Sequence, residues 1–269
     1  MQLFNLKAAF CYFVFAILCL SNQSFAQNKA VNVDSNYSKA LFILGQDTLP
    51  YRIYVSNTYA EEPLPLVIFL HGSGERGNNN NDQLSHGADW LYNAAITKYP
   101  MIAVFPQCPA NSYWSNVERI VDSTGKPHFT FTGDSVPTKA MKLLMAFTKY
   151  MYDRQYVDVR QMYVGGLSMG GMGTIELVSR MPKMFAAAFP ICGGGVIQKP
   201  RKTKRTAWWF FHGAKDDIVP PQNSIELAAF LKSHHNKVKI SIYPEANHNS
   251  WDSAFAEPDL LPWLFSHKR

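Results

Sequence analysis

Val164-Gly165-Gly166-Leu167-Ser168-Met169-Gly170-Gly171-Met172-Gly173-Thr174-Ile175-Glu176-Leu177 decides how the rest of the chain is read. An apolar strand runs into Gly-x-Ser-x-Gly, and helix-forming residues follow at once. A strand that turns this sharply into a helix forces the central residue into a strained backbone. The positions two before and two after it must then be small, as Gly166 and Gly170 are. Ser168 is thereby presented as a nucleophile at the C-terminal end of a strand.

A serine hydroxyl attacks a carbonyl only if a base removes its proton and a carboxylate orients and supports that base. Downstream, Phe211-His212-Gly213-Ala214-Lys215-Asp216-Asp217-Ile218-Val219-Pro220 closes an apolar run with two acids. Tyr243-Pro244-Glu245-Ala246-Asn247-His248-Asn249-Ser250-Trp251 closes the last such run with a histidine. His248 is the candidate base, because it follows the final strand and precedes a helical turn near Trp251. All three residue types fall after predicted strand ends, where open α/β sheets bind their ligands.

Around these segments, apolar runs without alternation mark strands buried on both faces: Leu66–Leu70, Met101–Phe105, Met162–Val164, Ala186–Ile191 and Ala207–Phe211, with the less apolar Val238–Tyr243. Helical segments separate most of them, at 83–97, 138–154, 169–180, 221–233 and near 258–265. In the second of these, Met141, Leu144, Met145, Phe147, Met151 and Tyr152 recur mostly at helical spacing. Ala40–Leu44 and Arg52–Val55 flank Gly45-Gln46-Asp47 and predict a hairpin. The expectation is an α/β fold with a mostly parallel, doubly wound sheet and an N-terminal antiparallel hairpin. Gln107–Pro137 contains no obvious element and reads as a long functional loop.

The chain has 269 residues, 47% hydrophobic and 17% charged, which excludes disorder and a polytopic membrane protein. The net charge is +6, but the basic residues gather only at Lys199–Arg205. That run has no interleaved aromatics and predicts no nucleic-acid partner. Lys7, the apolar run Ala8–Leu20 and Ser24-Phe25-Ala26 have the form of a secretory signal, so residues 1–26 are expected to be removed. The run is too short for a membrane anchor. A single domain is expected over residues 27–269, secreted or periplasmic. Its two remaining cysteines, Cys108 and Cys192, are compatible with a disulfide or with two buried thiols. No Cys-x-x-Cys, His-Glu-x-x-His or phosphate-loop spacing occurs, so neither a metal nor a cofactor is expected.

These pieces resemble a group of secreted α/β-hydrolase esterases that overlaps with feruloyl and acetyl-xylan esterase-like, polyhydroxybutyrate depolymerase-like and prolyl-oligopeptidase-like hydrolases. The resemblance rests on His71-Gly72-Ser73-Gly74-Glu75-Arg76-Gly77, Pro106-Gln107-Cys108-Pro109, the serine turn, Pro190-Ile191-Cys192-Gly193-Gly194, the His-Gly-x-x-Asp-x-x-Val-Pro segment 212–220, and His248. It implies the α/β-hydrolase fold, and it assigns Asp216 rather than Asp217 as the acid, with Asp217 left as a turn or capping residue and His212 as structural. An oxyanion needs two N–H donors, one from the residue after the nucleophile, Met169. The resemblance places the other in the turn after the third strand, at Ser73, with Gly72 the near alternative and His71 bracing the loop. Glu75 and Arg76 are read as local ordering residues.

Trp114 and Trp251 are the candidate substrate-binding aromatics. Lids in this fold commonly lie between the sixth and seventh strands, where only Gly193–Thr206 intervene. No large lid is therefore expected, and an open site suits a small-molecule ester or an acylated polysaccharide. The implied activity is a serine carboxylesterase with no cofactor. A serine peptidase and a silent carbohydrate-binding relative are the alternatives.

Overall fold

The computed structural model describes residues 36–57, 62–133 and 136–269. The signal segment 1–26, and with it the start of the expected domain, lies outside the described residues. Strands β1 (Ser38–Leu44) and β2 (Asp47–Val55) form the expected hairpin, with Leu44 opposite Asp47 across the turn at Gly45. Then follow β3 (Leu64–Leu70), helix α1 (Ala88–Thr97), β4 (Ile102–Pro106), β5 (Val117–Val121), β6 (Pro127–Phe131) and α2 (Lys139–Tyr152). The nucleophile segment supplies β7 (Val157–Leu167) and α3 (Met169–Arg180). The chain ends with β8 (Ala187–Ile191), β9 (Ala207–Gly213), α4 (Gln222–Ser233), β10 (Val238–Tyr243), α5 (Trp251–Phe255) and α6 (Leu260–Ser266).

Eight strands form one sheet in the order β1-β2-β4-β3-β7-β8-β9-β10. From β4 to β10 all neighbours are parallel, whereas β2 runs antiparallel to both β1 and β4. This is the α/β-hydrolase sheet. The runs without alternation are covered on both faces: β4, β8 and β9 are buried throughout. Alternate residues of one strand enter opposite cores, as a strand's period of two requires. Leu66, Ile68, Leu70, Trp208 and Phe210 pack with α2, α3 and α4, while Val67, Phe69, Trp209 and Phe211 pack with α1, α5 and α6.

Two expectations are corrected. The segment 83–97 is not one helix. Gly87 adopts φ +80°, a left-handed conformation that separates a short 3-10 turn at Asp82–Leu84 from α1. The stretch Gln107–Pro137 is not without an element: β5 and β6 pair antiparallel with each other, Val117 opposite Phe131, around a turn containing Gly125 at φ +85°. Their residues are mixed in polarity and mostly exposed or half-buried, so no burial pattern announced them. Gly125 between short runs rich in β-branched and aromatic residues was the available signal.

Cys108 and Cys192 are both free and buried, so the disulfide alternative is set aside. Among the described residues no helix is long and apolar enough to cross a membrane.

Candidate active site

Register brings the site together. In β3 and β7, Leu70 lies beside Gly166, so the turn that leaves β3 stands next to Ser168. The backbones approach so closely that a Cβ on Gly170 would lie 1.9 Å from Leu70 O, and one on Gly166 would lie 2.6 Å from the carbonyls of Leu70 and Gly170. Ser168 itself holds φ +53°, ψ −117°, and its N–H donates to Ile191 O at 2.9 Å. A side-chain-bearing residue at positive φ is costly and persists where its surroundings over-determine it, as here.

His248 Nε2 is 2.9 Å from Ser168 Oγ, while its Nδ1 is 2.8 and 3.1 Å from the two carboxylate oxygens of Asp216. The strands explain the meeting: β9 carries Asp216 on its C-terminal turn, β10 pairs with β9 up to Tyr243 opposite Gly213, and His248 follows five residues later. Asp216 is buried, and Ile218 and Val219 donate their N–H groups to its Oδ1 at 3.0 and 2.9 Å. Burial alone would raise its pKa. Donation from His212, His248 and Val219 and the charge interaction with His248 outweigh that and hold the carboxyl well below the usual range. The acid is thus ionised and the imidazole is oriented with Nδ1–H toward it, leaving Nε2 to face the hydroxyl. Asp217 is exposed and lies in the turn.

On the other side, His71 is buried and doubly engaged. Cys108 N–H donates to its Nε2 at 2.9 Å, so the ring proton sits on Nδ1, which donates to Gly72 O at 2.6 Å. Burial lowers its pKa to about 4, keeping it neutral. In a trans peptide the N–H points opposite to the C=O, so anchoring Gly72 O fixes the direction of the Ser73 N–H. Met169 is the first residue of α3, and its N–H is one of those a helix leaves without an intrahelical acceptor. Arg76 ties the turn down: Nε donates to Ser73 O at 2.9 Å, and Nη1 lies 3.3 Å from Ala110 O and Ser112 O. The ordering role expected of Arg76 is therefore visible in its contacts. The Glu75 carboxylate stands 3.9 Å from His71 Nδ1.

Trp114 is not placed to touch a substrate, which corrects the sequence expectation. It is fully buried, with its ring 5.6 Å from that of His71, and its Cβ fills the space that a side chain at Gly173 would occupy. It supports the turn from below. Trp251 is half-buried, edge-on to His248 with ring centroids 5.8 Å apart, and packs on His86 at 5.1 Å. His86 carried no motif and was not anticipated. Cys192, read from the sequence as a disulfide partner or a buried thiol, stands at the site itself, its thiol within 4.8 Å of the Asp216 and His248 side-chain ligand atoms.

Such an arrangement can deprotonate a hydroxyl, stabilise an oxyanion and return the proton to a leaving group. Fold and site together define an α/β-hydrolase. More narrowly, the chain belongs to the phospholipase/carboxylesterase family, which it matches over residues 55–257. A thermostable esterase of known structure is 30% identical, with a TM-score of 0.77 over 88% of this chain and 64% of that one. A ferulic acid esterase superposes with a TM-score of 0.61 over 85% of this chain and 97% of its own, at 16% identity, a likeness of fold. A bifunctional acetylxylan esterase/xylanase from Neocallimastix patriciarum is 26% identical over 106 residues, 39% of this chain and 15% of that protein. This chain therefore spans less than two thirds of the thermostable esterase and a small part of the bifunctional enzyme.

Proposed function

We propose that the protein is a secreted serine carboxylic-ester hydrolase that removes acyl groups from a hydroxyl-rich carrier such as a polysaccharide. The observation that carries the chemistry is the unbroken chain from Ser168 Oγ through the His248 ring to the Asp216 carboxylate, at 2.9 and 2.8 Å. Ser168 gives its proton to His248 and attacks the ester carbonyl. The oxyanion is received by the N–H groups of Met169 and Ser73. His248 then protonates the departing alcohol, and water repeats the sequence on the acyl-enzyme. Asp216 holds the imidazole and supports its charged form.

The carrier is inferred from the short β8–β9 connection and from the relatives. Between β8 and β9 the only helical piece is a single 3-10 turn, Pro200–Thr203, so no lid domain stands over Ser168 from this connection. Trp251 offers an apolar face beside the base, where a sugar or aromatic group can pack. The similar proteins include an acetylxylan esterase and a ferulic acid esterase, both named for acyl esters. Export rests on the form of residues 1–26.

The test is hydrolysis of p-nitrophenyl acetate, butyrate and octanoate, methyl ferulate, acetylated xylan and a peptide p-nitroanilide, each beside Ser168→Ala. Serine-dependent release of acetate from acetylated xylan, or of ferulate from methyl ferulate, is the expected result. Cleavage of the anilide in preference to every ester would overturn the reading in favour of a peptidase.

A further inference from the structure

The resemblance gives His212 a structural role. Its surroundings give it more to do. It is the penultimate residue of β9, four residues before Asp216, is fully buried, and spans three elements with its two nitrogens. Nε2 lies 2.9 Å from Val219 O and 3.2 Å from Asp216 Oδ2. Both are acceptors only, so Nε2 must carry the proton. Nδ1 lies 2.7 Å from Ser224 Oγ on α4, and that hydroxyl is also 3.1 Å from Gly193 O, past the end of β8. Ser224 Oγ donates to Gly193 O, and the ring Nε2–H donates to Val219 O while also facing Asp216 Oδ2 at 3.2 Å.

Asp216 Oδ2 is thus shared between two histidines: His248 at 2.8 Å, the candidate base, and His212 at 3.2 Å, which reaches neither Ser168 nor solvent. We infer that His212 is a positioning residue that sets the basicity of His248 through their common carboxylate. A donor on the far side of a carboxylate fixes its plane and draws off part of its negative charge, so the opposing imidazolium is stabilised less. Ser224 and Gly193 hold the ring that does this, coupling α4 and the β8 turn to the base.

Other groups at this point are few. The Cys192 thiol after β8 is buried, and burial pushes its pKa up, so it faces Asp216 uncharged. Ser250, next to the α5 helix, is a neutral hydroxyl. The neighbouring Asp217 is exposed, and exposed Lys215 pairs with Glu245 on the outside of the turn.

The inference rests on the Ser168–His248–Asp216 reading, and its test separates the two. With p-nitrophenyl acetate as substrate, the acid limb of kcat/KM against pH reports the free enzyme's base. His212→Leu removes the competing donor. The limb is expected to move to higher pH by about half to one unit, because an undivided Asp216 charge stabilises protonated His248 more. In His212→Gln, whose Nε2 can take the place of the ring Nε2–H, the limb is expected to stay near its original position. A His212→Leu protein that is folded by circular dichroism, with lowered kcat but an unmoved acid limb, overturns the inference, as does a Gln variant shifted like the Leu variant.

If the Leu variant does not fold, 15N-histidine NMR of the unsubstituted protein decides. His212 Nε2 is expected to carry a proton, which faces Val219 O and Asp216 Oδ2, and an unprotonated Nε2 overturns the inference. Loss of hydrolysis dependence on Ser168 would instead overturn the proposed function.

Discussion

His71 donates its Nδ1–H to the carbonyl of the adjacent Gly72 at 2.6 Å, and this contact turns the next peptide N–H away from the ring. Residues 71–73 are therefore a preset donor held by a neutral histidine. His71→Ala is expected to lower kcat by about tenfold to a hundredfold with little change in KM, because the Ser73 N–H, the proposed oxyanion donor, loses its fixed direction. Steady-state kinetics on p-nitrophenyl acetate check this. A change confined to KM would count against it.

The same residue gives a stability signature. Its pKa in the fold is about 4, below its ordinary value of 6.5. The folded state binds the proton less readily than the unfolded chain does. His71 therefore contributes stability fully above about pH 6.5, and this is lost as pH falls toward about 4. The melting temperature should fall over that window, and should fall less in His71→Asn, measured against the parent at each pH.

Ser168→Ala should lower turnover by roughly three or more orders of magnitude with the fold intact, and Asp216→Asn by about four orders. Circular dichroism separates lost chemistry from lost structure. Because Asp216 is held ionised, its contribution to stability is present above its ordinary pKa and disappears as acid protonates it.

The two tryptophans separate packing from recognition. Trp114→Ala empties a buried site and should cost about 3 to 5 kcal/mol in denaturant unfolding without altering substrate preference. Trp251→Ala should leave stability within about 1 kcal/mol and raise KM for aromatic or sugar esters more than for p-nitrophenyl acetate. The opposite pattern would exchange their roles.

Gly170→Ala places a methyl group 1.9 Å from Leu70 O, a main-chain atom that cannot swing aside. A loss of about 3 kcal/mol or a failure to fold is expected from such overpacking. Gly74→Ala, where a Cβ meets nothing within 4 Å, is the control.

How much was legible in advance follows from what each segment buries. The strands β3, β4, β8 and β9 are covered on both faces and so write continuous apolar runs. The nucleophile turn writes its glycines because main chain lies against main chain, at Gly166 and Gly170 alike. Ser168 and His248 are legible from the strand ends they follow, and Asp216 rather than Asp217 from the resemblance carried by the His-Gly-x-x-Asp-x-x-Val-Pro segment. What was missed depends on contacts distant in sequence. The burial of Trp114 is set by Gly173 and His71, the place of His86 by Trp251, and the second histidine on Asp216 by Ser224. The β5–β6 hairpin was missed for the opposite reason: it buries little, so its residues carry no strong periodicity.

That hairpin has a consequence for how such a molecule can diversify. β5 and β6 pair with each other and with no strand of the main sheet. The excursion is gathered at its base, where Thr138 Oγ1 donates to Tyr113 O and Asn116 Nδ2 to Val136 O. Phe131 rests on Gly194, next to the turn that carries Gly193. Exchanging the segment for one of another length or composition would leave every register of the eight-stranded sheet unaltered while rebuilding the surface that lies against Gly194. The scaffold is in that sense a socket with a replaceable face, built so that a grafted hairpin leaves Ser168, His248 and Asp216 where they stand.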